Sequence, residues 1–84
     1  MHTLKFSKQA QRDSLLLKQA GLKFKVQKIL NEIILNPSFP PAKKLSGNLD
    51  GLYSRRINLK HRVVYEVIKE AKMVKILRMW SHYE

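Results

Sequence analysis

The chain has 84 residues, which is enough for one small domain (residues 1–84) with a single modest core. It contains no cysteine, so a disulfide framework and a thiolate metal site are both excluded. Its 17 lysines and arginines against 6 acids give a formal net charge of +11, which favours an anionic partner: nucleic acid first, an acidic protein second, and a membrane surface third.

The first half of the chain predicts one strand and two helices. Residues 2–6 alternate in polarity as a strand does, and Ser7 is a good N-cap for a helix over 8–20 that stops at Gly21. The inward residues of this helix are expected to be Ala10, Leu16 or Leu17, and Ala20. A stronger pattern at helical spacing predicts a second helix, which the Asn-Pro pair at 36–37 ends. Its inward residues are expected to be Leu22, Val26, Ile29, Leu30, Ile33 and Ile34.

The second half predicts a loop followed by three strands. The segment PSFPPAKKLSGNLDG, at 37–51, is rich in proline, glycine and asparagine, and a loop of this length in a small domain is usually functional. Strands are predicted at 52–58, 61–68 and 73–80. The order β-α-α-β-β-β predicts an α+β fold, with a small antiparallel sheet, two helices packed on one face, and the other face open.

Side-chain alternation along the strand at 61–68 separates core residues from basic ones. Val63, Tyr65 and Val67 are expected to face the helices, and Arg62, Val64 and Glu66 the open face. The neighbouring strand can place Arg56 beside Arg62. A basic cluster is therefore predicted from Arg55, Arg56, Arg62, Lys43 and Lys44, next to a turn that carries Lys60 and His61. Lysines and arginines also protect solvated sheet edges, but three arginines within eight residues favour bidentate recognition of phosphate.

The C-terminal RMWSHYE carries groups that suit RNA chemistry, namely Arg78, Trp80, His82 and Tyr83. Histidine can transfer protons near neutral pH, and tryptophan or tyrosine can stack on a base, although such aromatics also end ordinary strands. The chain shows no metal-ligand spacing and no Gly-rich phosphate loop. We therefore expect neither metal nor cofactor. An RNA-cleaving site could work without either, because the 2′-OH of RNA can attack the adjacent phosphate.

The segment NLDGLYSRRINLKHRVVYEV, at 48–67, contains N-L-x-G, S-R-R-I and H-R-V-V-Y, and a His-Tyr pair lies near the chain end. With these motifs the chain resembles the YoeB/Txe group of toxins within the RelE/ParE superfamily. The resemblance implies a cytoplasmic toxin of a bacterial toxin–antitoxin pair that binds the ribosomal A site and its rRNA and cleaves the mRNA there. The implied partner is a YefM-like antitoxin with an acidic, disordered C-terminal tail. The implied assembly is a dimer of the toxin or a heterotrimer of toxin and antitoxin.

The resemblance also implies roles for individual residues. Arg62 lies at the family's catalytic arginine, Arg56 at a second basic active-site position, and His82 and Tyr83 at the terminal His-Tyr. The residues expected to bind RNA are Lys43, Lys44, Arg55, Lys60, His61 and Trp80. The family's glutamate, taken as general base, is replaced here by Lys43. Three alternatives follow: Lys43 is the base, Glu66 replaces the glutamate, or the arginines and the ribosome orient the 2′-OH without a side-chain base.

Three other functions, none of which cuts RNA, compete with the nuclease. A ParE-like inhibitor of a topoisomerase, or a toxin that blocks the A site without cutting, would use the same fold, but ParE-type relatives lack the terminal His-Tyr. A general basic RNA- or DNA-binding domain does not explain why His82 and Tyr83 stand near the chain end. The opening MHTLKFS has no apolar stretch like that of a signal peptide and no run is long enough to span a membrane, so a soluble, cytoplasmic protein without a membrane partner is expected.

Overall fold

The structure, a computed structural model, describes residues 1–38, 41–45 and 51–80. Two helices and five strands follow one another in the described residues, with a short 3₁₀ turn before the last strand. The elements are β1 (Thr3–Phe6), α1 (Lys8–Gln19), α2 (Lys23–Leu35), β2 (Lys43–Lys44), β3 (Leu52–Arg56), β4 (Arg62–Ile68) and β5 (Met73–Arg78). No helix among these residues is long and apolar enough to cross a bilayer.

The strands form one sheet in the order β1-β5-β4-β3-β2. The α+β class and the predicted order of strands and helices are confirmed. The sheet is mixed rather than wholly antiparallel, because β1 pairs in parallel with β5 while the other neighbours are antiparallel. The predicted loop also contains a short edge strand, β2, which pairs with β3.

Helix α1 begins at the predicted cap. The Ser7 hydroxyl accepts a hydrogen bond from the Ala10 amide at 3.0 Å and donates one to the Leu77 carbonyl at 2.8 Å, so the cap also joins the helix to β5. The inward residues are Ala10, Asp13 and Leu17. The predicted burial of Ala20 is wrong, because this residue lies at the C-cap beyond the last helical turn and is exposed.

The core lies between the helices and one face of the sheet. Helix α2 contributes Val26, Ile29, Leu30 and Ile33, and β4 contributes Val63, Tyr65 and Val67, as the two sequence patterns predict. The β3–β4 connection closes over Asn58, whose Oδ1 accepts hydrogen bonds from the Lys60 amide at 2.9 Å and the His61 amide at 2.8 Å. This closure brings the end of β3 opposite the start of β4.

Candidate active site

Basic side chains meet on the open face of the sheet, the face turned away from both helices. The register of β3 and β4 places Arg56 directly opposite Arg62, and the register of β2 and β3 places Lys43 opposite Ser54. These four residues and Pro41 line a cavity of about 200 Å³, which we call the cation pocket. The predicted juxtaposition of Arg56, Arg62 and Lys43 is therefore confirmed.

No acid neutralises the cation pocket within the described part of the chain. Neither Lys43 nor Arg56 nor Arg62 makes an ion pair or a side-chain hydrogen bond among the described residues. Like charges directly opposite each other on a sheet destabilise the pairing. An anion with several acceptor oxygens would remove that repulsion, because guanidinium groups bind phosphate through two parallel hydrogen bonds.

Ser54 belongs to the cation pocket, although the predicted basic cluster did not include it. The residue is 1% exposed, and its Oγ has no hydrogen-bond partner among the described residues. The signal was present in the sequence, because strand alternation places Ser54 on the same face as Arg56, two residues later.

Arg55 does not belong to the pocket, which corrects its predicted place in the basic cluster. Alternation in β3 turns Arg55 toward the helices, where its Nη2 lies 2.7 Å from Oε1 of Glu32 in α2. The Arg55 side chain is only 12% exposed. Its charge is therefore paired inside the fold.

The remaining basic and aromatic candidates are dispersed. Lys44 is exposed opposite Tyr53, whose ring packs against the core, so Lys44 and Lys43 lie on different faces of β2. Lys60 is exposed in the turn after β3. The His61 and Trp80 rings stack on each other with centroids 3.8 Å apart and an interplanar angle of 22°.

Glu66 lies away from the cation pocket. It is four residues beyond Arg62 on the same face of β4, a separation of roughly 13 Å along an extended strand. Its partners in register are Leu52 and Lys75, and it does not line the pocket. Of the two side chains considered as general base, Lys43 alone lies beside Arg62.

His82 and Tyr83 lie outside the described residues, so their roles stay predictions. The strand that leads toward them is held firmly. The buried Asp13 carboxylate accepts hydrogen bonds from Arg78 Nε at 3.0 Å and from the Met79 amide at 2.9 Å. Burial raises the pKa of Asp13, but hydrogen bonds from the Met79 amide, Arg78, the Trp80 amide and Gln9 outweigh it and leave the pKa below its usual value.

The segment that carries Lys43 is also held at its start. The Tyr65 hydroxyl, in the core strand β4, donates a hydrogen bond to the Pro37 carbonyl at 2.5 Å. Burial raises the pKa of Tyr65 well above its ordinary value, while the nearby Arg55 lowers it and Tyr53 raises it further. The phenol therefore remains a donor, and the chain leaves α2 from a fixed point before it returns to the pocket.

The chain is similar to known proteins over nearly its whole length. The family described as the YoeB-like toxin of bacterial type II toxin–antitoxin system matches residues 6–83. No curated protein matched the chain. Among solved structures, the Staphylococcus aureus YoeB dimer is 34% identical, with 98% of each chain covered and a TM-score of 0.83.

Two further structures extend the comparison. YoeB in the YoeB–YefM complex of Staphylococcus aureus is 34% identical, with 99% of each chain covered and a TM-score of 0.78. A YoeB/ParE toxin from Agrobacterium tumefaciens shares the fold at 22% identity, with 96% of this chain and 99% of that chain covered and a TM-score of 0.86. The match over nearly the whole chain shows that this protein belongs to the family of YoeB-like toxins of bacterial type II toxin–antitoxin systems.

Proposed function

We propose that this toxin is a cytoplasmic, ribosome-dependent endoribonuclease. It inhibits translation by cleaving mRNA in the ribosomal A site. The observation that carries the proposal is the cation pocket. Arg56 and Arg62 oppose each other in register beside Lys43, and none of the three is paired within the described residues. Such a pocket suits the phosphate of an RNA backbone, on which negative charge increases during cleavage.

The proposed reaction uses the 2′-OH of the RNA as nucleophile. Its oxygen attacks the adjacent phosphorus, a 2′,3′-cyclic phosphate forms, and the bond to the 5′-oxygen breaks. Arg62, assisted by Arg56, stabilises the charge on the non-bridging oxygens of the pentacoordinate phosphate. His82 donates the proton that the departing 5′-oxygen needs, and Tyr83 stacks on or orients a base.

Removal of the 2′-OH proton is assigned to no side chain. Glu66 is too distant from Arg62, at roughly 13 Å along the strand. Lys43 is exposed and lines the pocket with two arginines, a position that suits a phosphate-binding cation. We therefore propose that Lys43 binds phosphate, while the arginines and the ribosome orient the 2′-OH and its proton passes to water.

The proposed partner is a YefM-like antitoxin with an acidic C-terminal segment that orders over the cation pocket. The solved complex of the Staphylococcus aureus relative contains YoeB with YefM, and a second structure of that pair is a heterotetramer. A net charge of +11 also favours fast association with an acidic chain. Binding there would block RNA by occupying the same cations.

The test uses ribosomes programmed with an mRNA whose A-site codon carries one 2′-deoxy nucleotide. Wild-type toxin should cleave the all-ribose mRNA and leave a 2′,3′-cyclic phosphate, detected by primer extension and end-group analysis. A 2′-deoxy substitution at the scissile nucleotide should abolish cleavage, whereas the same substitution one codon upstream should not. Ribosome binding without cleavage of the all-ribose mRNA would overturn the nuclease and favour an A-site-blocking toxin.

A further inference from the structure

The cation pocket contains a buried hydroxyl without a partner. Ser54 is 1% exposed, yet its Oγ makes no hydrogen bond within the described residues, while the hydroxyls of Ser7 and Ser14 both bond to backbone carbonyls. Buried polar side chains are nearly always hydrogen-bonded, and one left without a partner destabilises the fold. The position therefore calls for a physical reason.

The surroundings of Ser54 identify the kind of partner that would satisfy it. The residue lies in β3 between Lys43 on β2 and Val64 on β4, and it lines the pocket together with Arg56 and Arg62. Three cations attract an oxyanion to this point. A serine hydroxyl can donate a hydrogen bond to such an oxygen, and bonds to a charged acceptor are stronger than neutral ones.

We propose that the Ser54 hydroxyl donates a hydrogen bond to a non-bridging oxygen of the RNA phosphodiester held in the cation pocket. The identity of this ligand rests on the proposed function. In the free protein Oγ is shielded from solvent. The pocket walls include the long, exposed side chains of Lys43 and Arg56, whose rotation on phosphate binding opens access to the hydroxyl.

This arrangement makes the hydroxyl a specific contributor to phosphate binding. Oγ has no hydrogen bond to the described residues that it would lose on binding the anion. The free energy of the new hydrogen bond therefore favours the complex alone. The free protein carries the cost of the unsatisfied group, and the complex does not. Removing the hydroxyl should therefore have opposite effects on the two states.

The experiment titrates the full ¹⁵N-labelled chain with a 2′-deoxy dinucleotide monophosphate, which has one phosphodiester and is not cleaved. Affinity is followed by NMR at constant physiological ionic strength. Ser54→Ala should weaken binding about tenfold, as the loss of one hydrogen bond to a charged group predicts. Ser54→Cys, of similar size but a poor donor, should also weaken it. Ser14→Ala, on an exposed part of α1, should bind as wild type does.

A thermal melt of the unliganded proteins supplies the second measurement. Ser54→Ala should melt at the wild-type temperature or a few degrees above it. Equal affinity of Ser54→Ala and wild type, no saturable binding to wild type, or a lower melting temperature of Ser54→Ala would each overturn the inference. If wild type cleaves mRNA on ribosomes but Ser54→Ala binds the dinucleotide as tightly as wild type does, this inference alone fails. If binding depends on Ser54 and no cleavage occurs, the proposed nuclease alone fails.

Discussion

Arg55 and Arg56 are adjacent in β3 and have opposite electrostatic surroundings. Arg55 turns toward the helices and pairs with Glu32 at 2.7 Å, with only 12% of its side chain exposed. Arg56 turns to the open face, is exposed, and stands opposite Arg62 without a partner in the described residues. One step along a strand thus separates a cation that supports the fold from one that is available to a ligand.

The same difference holds for the two faces of the sheet as wholes. On the side of the sheet that the helices cover, Glu32 and Asp13 each hold an arginine, so the charges of Arg55 and Arg78 are neutralised within the fold. On the open face, Lys43, Arg56 and Arg62 repel one another. Substitutions on the first face should therefore change stability, and substitutions on the second should change activity.

The largest expected effect concerns Arg62. Replacing it with alanine removes a preorganised donor to the transition-state phosphate, so cleavage on ribosomes should fall about 100-fold or more. The melting temperature should be unchanged or slightly higher, because a like-charge contact with Arg56 disappears. Arg12→Ala, an exposed arginine of α1, is the matched control and should retain activity. Full activity of Arg62→Ala would contradict the assignment of activity to the open face.

The opposite result is expected for Asp13. Asp13→Asn removes a buried carboxylate that accepts bonds from Arg78 and the Met79 amide, and should lower the free energy of unfolding by about 2 kcal/mol. Cleavage per folded molecule should fall several-fold at most, since Asp13 does not line the cation pocket but does hold the strand that leads toward His82. Urea denaturation with a cleavage assay on the same samples measures both quantities.

The pH dependence of stability sharpens that prediction. The pKa of Asp13 is lowered in the folded protein, so its contribution is complete above the unfolded value of about 3.9 and is lost as the pH falls below it toward the folded pKa. Wild type should therefore lose stability more steeply than Asp13→Asn between about pH 5 and pH 2. Parallel acid titrations of the two proteins would contradict the role given to the buried carboxylate.

A smaller effect is expected for Tyr65, which links the core to the segment that carries Lys43. Tyr65 is a core residue whose hydroxyl holds the Pro37 carbonyl, at the start of the segment that carries Lys43. Tyr65→Phe keeps the ring and should cost about 1 kcal/mol of stability. Cleavage should fall several-fold through weaker substrate binding. Tyr53→Phe, which keeps the stacked ring pair, is the control and should alter neither.

The sequence predicted the parts of the site that follow from local patterns. Alternation in β4 assigned Arg62 to the open face and Tyr65 to the core, and the turn at Asn58 set the register that brings Arg56 opposite Arg62. The same rule, applied to β3, would have turned Arg55 inward and added Ser54 to the pocket. The inward turn of Arg55 and the place of Ser54 were both missed, because the S-R-R-I motif was interpreted only as a cluster of basic charge.

Other features depend on contacts between distant parts of the chain. Glu32 reaches Arg55 only because α2 packs over β3, and Asp13 reaches Arg78 across 65 positions. An acid within a helix pattern is normally expected at the surface, so no local signal indicated the burial of Asp13. The parallel pairing of β1 with β5 likewise depends on how the two helices return the chain to the sheet edge.

The smallest expected effect separates the three accounts of proton removal. Lys43 lines the pocket and Glu66 does not, so Lys43→Gln should weaken ribosome-dependent cleavage only a few-fold, through affinity. At saturating ribosomes its single-turnover rate should remain measurable and close to wild type. Glu66→Gln should be nearly silent, because its neighbours in register are Leu52 and Lys75 rather than Arg62.

Two results together would make lysine the base instead. One is a single-turnover rate of Lys43→Gln that collapses even at saturation, and the other is an alkaline limb in the wild-type pH profile that disappears in the variant. A base must lose its own proton before it can accept one, so its rate contribution rises with pH. A phosphate-binding lysine contributes through its charge and gives no such limb. If both variants keep their saturated rates, the cations of the open face and the ribosome are sufficient to orient the 2′-OH.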